Sequence, residues 1–176
     1  MLMAKAKQDT MPNKDAETTI SIKHWGWITV LIIILDQASK VMADHFLQYH
    51  QPVAVMPLFN FTLMYNKGAA FSFLADAGGW QRWFFLCLTS VVSIFIYSWL
   101  RKLKTHQVLQ YISLALILGG AIGNLIDRAI YGYVIDFLDV YYNNHHWPAF
   151  NIADSAIFVG AILLIIDTLK NPHEDS

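Results

Sequence analysis

The sequence predicts an all-α membrane protein: four transmembrane helices with a small extracytoplasmic β-sheet and a short interfacial helix. Three observations predict it. Of 176 residues, 56% are hydrophobic and only 14% are charged, where a soluble domain carries about 25% charged residues. The apolar residues gather into four segments close to the ~20 residues that a helix needs to cross a ~30 Å hydrocarbon core. Lysine and arginine fall mostly on one side of those segments. The 14% aromatic content suits a chain with two membrane–water interfaces. A net charge of -1 leaves no basic excess for binding phosphate, so no nucleic acid is expected as a partner.

The opening stretch "MLMAKAKQDTMPNKDAETTI" is polar and mixed in charge. It lacks the apolar region and small-residue cleavage site of a secretory signal, so residues 1–22 are expected to form a disordered cytoplasmic tail. A membrane domain of residues 23–170 follows, and residues 171–176 form a second cytoplasmic tail. The spans are expected from about Trp25 to Leu47, Trp80 to Leu100, Val108 to Ile126 and Phe150 to Leu169. Lys5, Lys7, Lys14 and Lys23 precede the first span, Arg101, Lys102 and Lys104 link the second to the third, and Lys170 follows the fourth. The positive-inside rule then places both termini in the cytoplasm. The two larger connections, about 48–79 and about 129–148, face outward. In the first, "PLFNFTLMYN" has the β-rich character of short strands, and Gly68, Gly78 and Gly79 supply turns. The second, "YGYVIDFLDVYYNNHHWP", is full of Tyr and Trp and should lie at the headgroup level as a short amphipathic piece.

Polar residues at the edges of the spans carry the functional question, because ionisable groups inside a membrane are expensive and mark sites. Asp36 and Lys40 are four apart on the first span, which puts them on one helix face as a pair. Asn124, Asp127 and Arg128 end the third span, and Asn151 and Asp154 open the fourth. The third span runs outward and the fourth inward, so these ends meet at one face. Asp136, in the connection between them, belongs to the same face. Asn151 is placed to cap the fourth helix. Two carboxylates brought together in a low-dielectric pocket share a proton and split their pKa values. One can then act as general base on a water and the other as general acid. His145 and His146 are adjacent but lack a third ligand, so no metal or other cofactor is expected. Cys87 is alone and reads as a small hydrophobe facing lipid or another helix. Spacing alone leaves two other readings open. A proton-coupled transporter would string polar residues along a whole path, whereas a non-catalytic scaffold would use its Asp residues only for interhelical hydrogen bonds.

Five short motifs in order resemble those of the bacterial lipoprotein signal peptidases, the signal peptidase II family of aspartic peptidases. They are "DQASK" (Asp36–Lys40), "NKGAAFSF" (Asn66–Phe73), "GGAIGNLIDR" (Gly119–Arg128), "VIDF" (Val134–Phe137) and "FNIADSAI" (Phe150–Ile157). The resemblance implies an inner-membrane endopeptidase that removes signal peptides from prolipoproteins, cutting just before a diacylglyceryl-modified cysteine. It implies Asp136 and Asp154 as the catalytic pair. Asn66, Gly68, Asn124, Asp127, Arg128 and Asn151 then shape the pocket or bind substrate, and Asp36 and Lys40 form a structural polar pair. It further implies an active site on the periplasmic side, contact with membrane lipids and inhibition by the cyclic peptide globomycin. Nothing demands more than a monomer. Phe59, Phe61, Phe71 and Phe73 are expected to form an apolar cradle over the site.

Overall fold

The computed structural model describes residues 26–68 and 79–170. Its elements run α1 (Gly26–Phe46), β1 (Val53–Met56), β2 (Phe59–Asn66), α2 (Gln81–Leu100), α3 (Val108–Ile130), β3 (Val134–Tyr142), β4 (His145–His146) and α4 (Ile152–Lys170). The four helices are each long and apolar enough to cross a membrane. Both expected tails, Trp25, Gly78, Phe71 and Phe73 lie outside the described residues.

α3 is the central helix, packed against α1, α2 and α4. Twelve of its residues are buried, whereas α1 buries only Asp36, Lys40 and Ala43, spaced by four and three along one face. The rest of α1 points Val30, Leu31, Ile34, Leu35, Val41 and Met42 outward, and α2 and α4 do the same with Val91, Ile94, Phe95, Phe158 and Ile165. Such a surface belongs in lipid, where apolar side chains need no cover. With no hydrophobic drive between helices in lipid, close backbone approach holds them. The "GGAIG" run supplies it. A Cβ at Gly120 would collide with the Ala153 carbonyl of α4, and one at Gly123 would lie 2.5 Å from Asp36 Oδ2 of α1. At the other end of the bundle, Ile96, Leu100, Leu103, Tyr111, Leu114 and Leu118 form an apolar cluster between α2 and α3.

The strands form one antiparallel sheet in the order β1-β2-β3-β4. The outer connection of about 129–148, the expected place for a short interfacial helix, is extended instead. Its "VIDFLDVYY" stretch, rich in β-branched and aromatic residues, pairs along β2, where its backbone groups find partners that a short headgroup-level helix would leave to solvent. The third span also continues to Ile130, a turn past the expected end. Pairing of β2 with β3 sets Met64 opposite Asp136 and Asn66 opposite Val134. Beyond the β3–β4 hairpin the chain returns to β3, where Phe150 N–H donates to the Leu138 carbonyl at 3.0 Å and the Phe150 carbonyl accepts from Leu138 N–H at 2.8 Å. That contact delivers Asn151, the next residue, beside Asp136.

Candidate active site

The base of the site is an ion cluster between α1 and α3. Lys40 Nζ lies 2.8 Å from Asp36 Oδ2 and 2.9 Å from Asp127 Oδ2, and donates to Asn124 Oδ1 at 2.9 Å. All three charged groups are at most 1% exposed, so each needs the others to offset lost hydration. Asp36 is more than Lys40's partner. Its Oδ1 accepts the Ala153 N–H at 2.9 Å, which fixes the first turn of α4 against α1. Asp127 spends its oxygens on Lys40, on Gln37 Nε2 at 2.9 Å and on the Ile135 N–H at 3.1 Å. It therefore ties the end of α3 to the start of β3, one residue before Asp136.

Asn151 sits at the centre of the polar face, fully buried. As the residue before α4 it is the N-cap, and its Oδ1 accepts the Asp154 N–H at 2.9 Å. Asp154 Oδ2 reciprocates by accepting the Asn151 N–H at 3.3 Å. This is a capping box with Asp in the place more often held by Glu or Gln. The remaining Asn151 group, Nδ2, donates to Asp136 Oδ1 at 2.7 Å and to Asn124 Oδ1 at 3.2 Å. One side chain thus touches both carboxyl-bearing residues. Asn124 Nδ2 donates to Asp154 Oδ1 at 2.8 Å, and Asn66 Nδ2 donates to Asp136 Oδ2 at 3.1 Å. Asn66 Oδ1 accepts the Gly68 N–H at 3.0 Å, and Arg128 Nη2 donates to the Gly68 carbonyl at 3.0 Å. The Arg128 guanidinium lies 5.1 Å from the centre of the Phe85 ring, within cation–π reach.

Every residue expected at the site from the sequence is therefore in one connected network. Burial first, and then the negative charge of Asp154, pushes the Asp136 carboxyl up to about 7, against the opposing pull of Asn66, Asn151 and Lys40. A carboxyl held near neutrality can both give and take a proton. Sequence reasoning missed Gln37, whose Nε2 reaches Asp127, the Gly123 carbonyl and Asp36. Its position inside "DQASK", three residues before Lys40, was the available signal. It also missed Arg82, which meets the end of α3. Among the described residues no three His, Cys, Asp or Glu side chains gather as a metal-holding group. An apolar cavity of about 260 Å³ lies between the end of α1 and the sheet, lined by Ser39, Met42, Ala43, Phe46, Leu47, Phe61 and Phe137. Phe61 of the expected cradle lines it and Phe59 packs edge-on against Phe61.

Four helices of membrane-spanning length and apolarity, with a buried carboxylate network at one end, define a multi-pass membrane protein with its polar site at one edge of the bundle. The family model for signal peptidase (SPase) II matches residues 28–170. A lipoprotein signal peptidase of Acinetobacter baumannii is 58% identical over 163 residues, covering 90% of this chain and 93% of that one. One of Alteromonas mediterranea is 56% identical over 150 residues, covering 85% and 82%. A solved bacterial membrane enzyme, determined by the in meso method at 2.3 Å resolution, superposes with a TM-score of 0.78 at 30% identity, covering 91% of this chain and 95% of that one. The chain belongs to the signal peptidase II family and is a peptidase.

Proposed function

We propose that this chain is an aspartic endopeptidase that removes signal peptides from diacylglyceryl-modified prolipoproteins, cutting just before the lipid-modified cysteine, with Asp136 and Asp154 as the catalytic pair. The observation that carries the reading is the double role of Asn151. Its backbone N–H and side-chain oxygen close a capping box with Asp154, and its side-chain Nδ2 donates to Asp136. The two carboxyls are thereby oriented from one buried residue, and Asp136 is poised near neutral pH.

In this mechanism the pair shares one proton. The ionised carboxylate takes a proton from a water as its oxygen attacks the scissile carbonyl. The protonated carboxyl hydrogen-bonds to the carbonyl oxygen and stabilises the charge that develops there. Collapse of the tetrahedral intermediate passes a proton to the departing amine. Asn66, Gly68, Asn124, Asp127, Arg128 and Asn151 hold the pocket, and Asp36 with Lys40 anchors the helices behind it. The apolar cavity beside α1 offers the diacylglyceryl chains a place that keeps them in lipid while the peptide bond meets the carboxyls. The same reading makes the site a target for globomycin, puts it on the periplasmic side of the inner membrane with both termini cytoplasmic, and requires no metal and no second copy.

The test is cleavage of a lipid-modified precursor by purified protein in detergent. Asp136→Asn and Asp154→Asn are each expected to lower kcat by at least ~10²–10⁴-fold, the range for removing a general acid or base, with the folded fraction unchanged. A chelator is expected to leave the rate unchanged. Near-wild-type cleavage by either variant would remove that residue from the pair.

A further inference from the structure

We propose that Arg82 is a positioning residue for the reaction: it clamps the C-terminal carbonyls of α3 and so sets where the chain turns to deliver Asp136 and Arg128. The inference rests on the reading of Asp136 as catalytic and deepens it.

The last carbonyls of a helix have no partner within the helix. At the end of α3, Tyr131 N–H donates to the Asp127 carbonyl at 2.7 Å and Gly132 N–H to the Arg128 carbonyl at 3.2 Å. From α2, Arg82 Nε donates to that same Arg128 carbonyl at 3.0 Å and Arg82 Nη2 to the Ala129 carbonyl at 2.7 Å. A guanidinium forks across two successive carbonyls in a way that an ammonium cannot, and its charge opposes the negative end of the helix dipole. Gly132 completes the turn at a φ of +84°, and a Cβ there would press on the Arg82 stem at 3.3 Å. The clamp thus bears on the last turn of α3 and on the glycine that redirects it.

The polar site lies directly beyond that turn. Ile135 is held by Asp127, and Asp136 comes next. Arg82 also works with its neighbour on the same helix face. Phe85, three residues on, receives the Arg128 guanidinium on its ring, while Arg82 holds the Arg128 backbone. α2 otherwise presents Leu88, Val91, Phe95 and other exposed apolar side chains, so its first turns are where it supports the site. The bland alternative is an arginine that only fastens α2 to α3.

Kinetics separate the two. Arg82→Gln keeps a polar side chain and loses the charged fork; Arg82→Lys keeps the charge at the helix end. For positioning, kcat of Arg82→Gln should fall roughly 10- to 100-fold, the scale for a small misplacement of reacting groups. KM should stay within about 2-fold, and the alkaline limb of the pH–rate profile should move. Arg82→Lys should recover part of kcat while keeping the wild-type Tm. A loss of kcat that merely tracks the folded fraction in both variants would make Arg82 a stabilising residue and overturn the proposal. So would wild-type kcat and an unmoved pH profile in Arg82→Lys and Arg82→Gln while Asp136→Asn is inactive. An active Asp136→Asn would instead bring down the catalytic reading itself, and the Arg82 proposal with it.

Discussion

Burial and the Asp154 charge lift the Asp136 carboxyl from the ordinary 3.8 to about 7, and this bears on stability as well as on chemistry. A carboxyl whose folded pKa is raised favours the folded state while it is protonated. Its contribution is complete below about pH 4 and is lost as pH rises through about 7. Asp136→Asn never acquires the charge. Its Tm should therefore exceed that of the parent by roughly 5 °C or more at pH 8, and the gap should close towards pH 4. Thermal unfolding in detergent at the two pH values measures this; a gap independent of pH would contradict the raised value. Asp139, three residues on, shows the opposite balance. Burial opposes its charge, but hydrogen bonds from His146, Thr62 and Asn60 outweigh burial and hold it below the ordinary range. Two aspartates on one strand are thus shifted in opposite directions because different partners face them, which their shared residue type does not reveal.

At the scale of elements, the site depends on how closely α3 approaches α1 and α4. Gly120 meets the Ala153 carbonyl and Gly123 meets Asp36, so backbone contact there sets the distance between Asn124 and the Asn151–Asp154 turn. Gly120→Ala is expected to push α4 away from α3. It should lower Tm by several degrees, an overpacking cost of about 1–3 kcal/mol, and should lower cleavage beyond the loss of folded protein. Normal activity and Tm would mean that α4 can give way without cost. The sheet is the second device. The pairing of β2 with β3 and the return of Phe150 to Leu138 bring Asn66, Asp136 and Asn151 together. Four helical spans, with ends correct to within a few residues, were legible from apolar runs. β3 was not, because its aromatic content reads equally as an amphipathic interfacial piece until a partner strand is known.

For the whole molecule, an apolar outer surface and a bias of Lys and Arg towards one side support the proposed orientation in the membrane. Lys104, in the link between α2 and α3, and Asn143, in the β3–β4 turn at a φ of 53°, should lie on opposite sides. In a Cys87→Ala background, a membrane-impermeant maleimide applied to intact spheroplasts should label Asn143→Cys and spare Lys104→Cys. Labelling of Lys104→Cys under those conditions would reverse the proposed topology.

The sequence by itself determined the four spans, the gathering of polar residues at one edge and, through five ordered motifs, the family. It could do so because burial in lipid demands long apolar runs and makes every intramembrane charge conspicuous. Tertiary structure alone decided how those polar residues divide their work. Asp127 turned out to be occupied by Lys40, Gln37 and Ile135, Asn151 to join both carboxyl-bearing residues, and Arg82 to grip the end of α3. Hydrogen-bond partners depend on distances of a few tenths of an ångström between segments far apart in the chain, and no spacing within one segment encodes them.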